Sequence, residues 1–272
     1  MTSLPMPSPL RRRWFFQQSE TDQVLILSAL FSCLLLAARI YHTGRLTFLF
    51  MPWNLFLAWV PYRLSTSLTQ TGNRRVEFAR KGVRGAMCVA GLIVWLLFIP
   101  NSFYILTDLY HLADNHRNSR VPEWFDLILI LSFALNGLLL GVRSTRQIEK
   151  LLVPDASFAG RWVFLYPVMW LSAWGVYIGR VLRYNSWDIV ASPVDLLSDI
   201  VRMIAHPLRY HDAWGMIFCY SILLTIIYSV LTKDGRNPSS APKNHKPWTM
   251  QSPNSETATG SFRRASGSDF SS

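Results

Sequence analysis

The sequence predicts an all-α protein, a polytopic membrane bundle of six transmembrane helices plus one interfacial amphipathic helix. Three observations predict it. First, six stretches contain no Asp, Glu, Lys or Arg: residues 23–38, 46–62, 85–107, 127–142, 162–179 and 213–232. Each approaches the ~20 residues a helix needs to cross ~30 Å of hydrocarbon. Only helices and closed barrels keep their backbone hydrogen-bonded in that medium. Second, half of the 272 residues are apolar and only 16% are charged, against ~25% in typical soluble domains. Third, the charge is unequally divided between the two sides. With the N-terminus placed in the cytoplasm, 19 of the 27 Lys and Arg fall on inner segments and eight on outer ones. The 16 acids divide equally, so the inner face carries the whole net charge of +11. This is the positive-inside bias. It reads as orientation and contact with anionic lipid, not as nucleic-acid binding.

Taken in order, residues 1–22 form a basic cytoplasmic arm, with Arg11, Arg12 and Arg13 ahead of the interface-seeking Trp14, Phe15 and Phe16. The arm and first span resemble the start of a signal peptide. Five more spans follow, so the segment reads as a retained anchor. Residues 23–232 are the membrane domain. In span two, Pro52 precedes Trp53 and Asn54 and predicts a kink. Residues 63–84 are the main cytoplasmic positive cluster. Gly137 with Gly141, and Gly175 with Gly179, are G-x-x-x-G pairs that admit another helix closely. They lie toward opposite ends of spans four and five, so they do not face each other, and each receives some other helix.

The loop between spans five and six carries the amphipathic helix. Ser192 suits an N-cap, Pro193 the first helical position and Asp195 the first turn. At 100° per residue, Val194, Leu196, Leu197, Ile200, Val201, Met203 and Ile204 share one half of the wheel, and Asp195, Ser198, Asp199 and Arg202 the other. His206 and Pro207 end the run. A helix this short and this charged lies flat on the outer surface, as a lid or brace. Residues 233–272 are rich in Ser, Pro, Asn and Lys and read as a disordered cytoplasmic tail. The three cysteines, Cys33, Cys88 and Cys219, fall inside spans and read as packing, without disulfide or zinc spacing.

The polar residues of the spans narrow the functional classes. Asn54 and Asn136 sit near mid-depth, where an amide needs a partner on a neighbouring helix. They read as ties between helices or, with Asn101, as the path of a small permease. At the outer ends of spans three, four and five a second set converges. Asp108 and His111 are i,i+3 and share a helix face, as do Arg180 and Arg183. Asp126 opens span four and Asp188 follows span five, with Trp124 and Trp187 framing the set. Three readings fit: an ion-pair network locking helix ends; a site where Arg180 and Arg183 hold an anionic lipid head group, a phosphate or a membrane-protein partner; and acid–base or metal chemistry by Asp108, His111 and Asp126 at the membrane's outer surface. No histidine lies within a span, which argues against a bis-His haem. No P-loop, G-x-G-x-x-G, H-E-x-x-H or G-x-S-x-G occurs, and no cofactor is expected.

Several ordered motifs carry a family resemblance. They are Trp53-Asn54-Leu55 with Trp59 and Pro61; the run 100–111; Trp124-Phe125-Asp126-Leu127; residues 132–141; and residues 174–188. Together they resemble the bacterial membrane family known as domain of unknown function 1361, over roughly residues 40–190. The resemblance implies a multi-span inner-membrane protein found in cyanobacteria among others, with the thylakoid as the alternative membrane. It implies no activity.

Overall fold

Hydrocarbon-length apolar runs become long helices. The computed structural model describes residues 20–70, 83–112, 121–154, 158–184 and 191–233. They form α1 (Glu20–Thr43), α2 (Phe50–Gln70), α3 (Val83–Tyr104), a 3₁₀ segment (Ile105–Tyr110), α4 (Glu123–Leu152), α5 (Phe158–Arg180), α6 (Pro193–Ala205) and α7 (His211–Lys233). No strand occurs among the described residues. The expected basic arm, the tail and most of the cluster at residues 63–84 lie outside them.

Five of these helices are long and apolar enough to cross a membrane: α1, α3 with its 3₁₀ extension, α4, α5 and α7. Their outer faces agree with that. Leu27, Leu30 and Leu34 of α1, Ile93 and Leu97 of α3, Val163 of α5 and Ile226 and Val230 of α7 are all exposed. A water-soluble monomer does not display so continuous an apolar surface. The architecture is that of a multi-pass membrane protein. Cys33 and Cys219 also face outward, whereas Cys88 is buried.

The second apolar run departs from expectation. Residues 46–49 are not helical, and α2 is shifted toward the C-terminus to end at Gln70. Its second half therefore includes Arg63 and a series of hydroxyls. These are answered within the bundle: Ser65 Oγ donates to Gln147 Oε1 of α4 (2.6 Å), and Thr66 and Thr69 donate to carbonyls one turn earlier. Pro52 falls in the first turn of α2, where a missing N–H leaves no intrahelical bond unmade. The predicted kink thus has no cause there. Pro61 is the proline inside the helix. Near it, Ser144 Oγ of α4 donates to the Pro61 carbonyl (2.9 Å) and Ser102 Oγ of α3 to the Ala58 carbonyl (3.0 Å).

The 30-residue α4 is the axis. It contacts α1, α2, α3 and the 3₁₀ segment, while α5 packs against α3 and α7. Asn136 is a tie between helices: its Nδ2 donates to Ser32 Oγ of α1 (3.1 Å) and to its own helix at the Ser132 carbonyl (2.8 Å). Two tyrosine–carboxylate ties hold the helices at the other end of α4. Tyr62 donates to Asp22, joining α2 to α1. Tyr228 and Arg161 both donate to the buried Glu149, joining α7 and α5 to α4.

The two glycine pairs seat the same piece of chain, residues 100–105. A Cβ on Gly137 would lie 2.8 Å from the Ser102 carbonyl oxygen, and one on Gly141 2.8 Å from the Phe103 ring. A Cβ on Gly175 would lie 2.6 Å from Pro100 Cβ, and one on Gly179 3.2 Å from the Tyr104 ring. The two motifs do not face each other, and each receives another helix, as expected; the expectation that they differ in depth is what changes, because both receive the same segment. Both approach the end of α3, one from each side, because α4 extends well beyond its charge-free stretch.

The small residues are consequently requirements of packing. Gly137→Ala and Gly175→Ala are each expected to destabilise the protein by about 1–3 kcal/mol, the usual cost of overpacking. Gly215→Ala has no atom within 4 Å of the new methyl and is expected to be neutral within about 0.5 kcal/mol. Thermal unfolding of the three variants in one detergent checks this order.

Candidate functional site

The site begins where α3 tightens. Residues 105–110 adopt the 3₁₀ conformation, in which side chains three apart eclipse one another. Asp108 and His111 therefore stack on one side, Asp108 fully buried and His111 half-buried. Arg180, the last residue of α5, reaches them because Gly179 lets the Tyr104 ring lie against the helix beneath it.

Arg180 organises the cluster. Its Nη2 donates to Asp108 Oδ1, its Nε to Thr107 Oγ1 (2.9 Å) and its Nη1 to His111 Nε2 (3.3 Å). Arginine has no acceptor, so His111 Nε2 accepts and the ring proton belongs on Nδ1. The guanidinium also lies 4.7 Å from the centre of the Tyr104 ring, an attraction worth about 0.5–2 kcal/mol. From α2, Asn54 Nδ2 donates to Asp108 Oδ2 (3.1 Å). Both oxygens of Asp108 are thus engaged, and three helical segments close on one carboxylate. Asn54 belongs to this cluster and not to mid-span, because α2 begins only at Phe50.

These groups form one end of a cavity of about 680 Å³, within the usual range of small-molecule sites. Asn54, Asn101, Tyr104, Asp108, His111, Arg180 and Tyr184 supply its polar part. Leucines of α2, α3 and α5, with Trp53, Trp174 and Ile178, supply the rest. Asn101 also donates to the Phe98 carbonyl of its own helix (3.2 Å).

The amphipathic helix α6 covers part of this cavity with Leu196 and Ile200. Its apolar half is divided: Met203 is buried, while Val194, Leu197, Val201 and Ile204 are exposed. Tyr184 fastens it by donating to Asp199 Oδ2 (2.9 Å), and Trp214 Nε1 of α7 donates to the Met203 carbonyl (3.4 Å). Ser192 does not cap through its side chain. Its carbonyl accepts from the Leu196 N–H instead.

Three expected members do not join. Asp126 pairs with Arg39 of α1 through both oxygens, at 2.7 and 3.0 Å, and both residues are buried. The guanidinium lies 4.3 Å above the Phe48 ring, and its Nη1 is buried without a partner among the described residues. The expected trio of Asp108, His111 and Asp126 therefore does not assemble as a metal-ligand group. Arg183 is exposed and left-handed (φ 62°). The Tyr184 N–H returns to the Ile178 carbonyl (3.2 Å), so Arg183 takes the helix-ending position that glycine usually holds. Arg183 is not among the residues that line the cavity. Trp124 is exposed on the first turn of α4. Trp187 and Asp188 lie outside the described residues.

Sequence reasoning passed over Arg39, Tyr104 and Thr107. Arg39 had a signal, as the one cation within the last turns of an otherwise apolar helix. Thr107 and Tyr104 had only their spacing from Asp108.

A family model described as protein of unknown function (DUF1361) matches residues 53–227, which include every described residue of the cluster. No curated protein and no solved structure matches the chain.

The Arg39–Asp126 pair is a lock between α1 and α4. Arg39→Met or Asp126→Leu alone leaves a buried charge unpaired and is expected to cost about 3–5 kcal/mol. The double variant is expected to recover most of that loss. Denaturation midpoints of the four proteins give the coupling directly.

Proposed function

The chain belongs to this family of proteins of unknown function, and from that premise we propose that it is a membrane-embedded binding protein whose cavity holds the polar or anionic head group of a lipid. One observation carries the reading. Arg180, His111 and Asn54, with Arg180 bonded directly to His111 and joined to Asn54 through Asp108, line a cavity whose remaining walls are mostly hydrocarbon. Asp108 is buried behind them with both oxygens already bonded, so it balances Arg180 without competing for the ligand. Three of arginine's five donors are used by described residues, which leaves capacity for acceptor oxygens such as those of a phosphate diester.

On this reading α2 completes a six-span bundle in a bacterial inner membrane, or a thylakoid membrane, with both termini cytoplasmic. The positive-inside bias supports that orientation, and α6 then lies at the outer surface over the site. The bond between Asn136 and Ser32 favours binding over a permease, since it engages that amide between helices. An enzyme at the outer face would use His111 with Asp108. The engagement of both Asp108 oxygens favours the binding role.

Arg180 and Asp108 are best removed together, so that neither is left as an uncompensated charge. Arg180→Gln with Asp108→Asn is expected to weaken retention of phosphatidylglycerol about tenfold or more, equivalent to about 1.4 kcal/mol. Native mass spectrometry from mixed nanodiscs measures retention, and thermal unfolding verifies the fold. Unchanged retention by a folded double variant contradicts the proposal.

A further inference from the structure

Resting on that reading of the cavity, we infer that the ligand is a membrane-resident lipid admitted sideways from the hydrocarbon, between α2 and α5, and that a free head group from water is not bound. The route is written along one face of α3. Ile93, Leu97, Asn101 and Tyr104 follow one another at intervals of three or four, so they share a face. Ile93 and Leu97 are exposed at 56% and 50%, whereas Asn101 and Tyr104 are half-buried beside the Arg180 cluster. Over that distance, about 16 Å at 1.5 Å per residue, the surface changes from lipid-like to hydrogen-bonding.

The flanking helices leave this face open at its apolar end. Leu97 of α3 and Leu171 of α5 line the cavity and are exposed, at 50% and 42%, and Trp53 of α2, beside Asn54 and so nearer the polar end, also lines it and is exposed at 51%. They are continuous with exposed Phe56 on α2 and with Ile93 and Val94 on α3. The apolar part of the cavity therefore opens onto the same belt that faces the membrane. At the polar end the situation is reversed. Leu196 and Ile200 of α6 lie over the cavity, and α6 is pinned there by Tyr184 and Trp214. A lipid can slide its chain along Leu97 while its head reaches Arg180. A soluble head-group compound meets the cover, and it forgoes the burial of apolar surface that drives such binding.

The test compares two probes on the full chain: phosphatidylglycerol in nanodiscs, and soluble glycerol 1-phosphate with the protein in a zwitterionic bilayer. Leu97→Trp and Leu171→Trp fill the slot from opposite walls at exposed positions, away from the polar cluster. Wild type is expected to retain phosphatidylglycerol and to show no binding of glycerol 1-phosphate at a hundredfold higher concentration. Each Trp variant, shown to be folded by its unfolding temperature, is expected to retain about tenfold less lipid. If glycerol 1-phosphate binds as tightly as the lipid, or if both folded Trp variants retain lipid normally, sideways admission is overturned while head-group binding stands. If neither probe binds wild type, head-group binding itself fails.

Discussion

The structure depends on one close approach, that of residues 100–105 to glycine on two sides. Gly137 and Gly141 of α4 accept Ser102 and Phe103, and Gly175 and Gly179 of α5 accept Pro100 and Tyr104. In lipid, helices gain nothing by hiding apolar surface from water, so contact distance and hydrogen bonding decide what packs. Small residues let the end of α3 come within van der Waals range of both neighbours. Once it is held there, Tyr104 supplies a ring for Arg180, and the 3₁₀ segment can present Asp108 beside it.

That constraint links packing to chemistry. The polar cluster is the continuation of the tightest contact in the bundle, since Gly179 and Arg180 are neighbours, as are Tyr104 and the first 3₁₀ residue, Ile105. Arg180 is fixed at three of its donors, and Asp108 is satisfied at both oxygens. A buried pair of this kind has high desolvation costs and needs every bond it makes. The second pair, Arg39 with Asp126, is more deeply buried and lies against Phe48. It serves as a lock between α1 and α4, whereas the Arg180 pair also faces a cavity. The same residue types have different consequences because the Arg180 pair lines the cavity, whereas Arg39 and Asp126 are buried against Phe48.

Much of this was legible in the sequence. Charge-free runs located the long helices, because apolar length is an absolute demand of the bilayer. Three-residue spacing brought Asp108 and His111 onto one side, and span order brought Arg180 to the same end. The amphipathic period of residues 194–204 marked α6. Long-range pairing was not legible. Asp126 could have faced Arg180 as well as Arg39 by charge alone, and choosing between them requires the rotation of α1 about its axis. Arg183 has the residue type of a ligand, but its left-handed backbone follows from how α5 ends. The start of α2 was misplaced because residues 46–49 are apolar without being helical. That each glycine pair receives another helix was legible, but their relative depth, judged from charge-free stretches, was not, because α4 continues as helix through Arg143, Arg146 and Lys150.

The central claim is that the end of α3 touches α5 at Gly175, and a cross-link tests it most directly. Pro100→Cys and Gly175→Cys, introduced together with Cys33, Cys88 and Cys219 replaced by Ser, place two thiols on facing backbones. The 2.6 Å from a Cβ at Gly175 to Pro100 Cβ needs to open by only about 1 Å to match disulfide geometry. The account predicts a near-complete intramolecular disulfide on mild oxidation in native membranes. Free thiols in a folded protein under those conditions would contradict it.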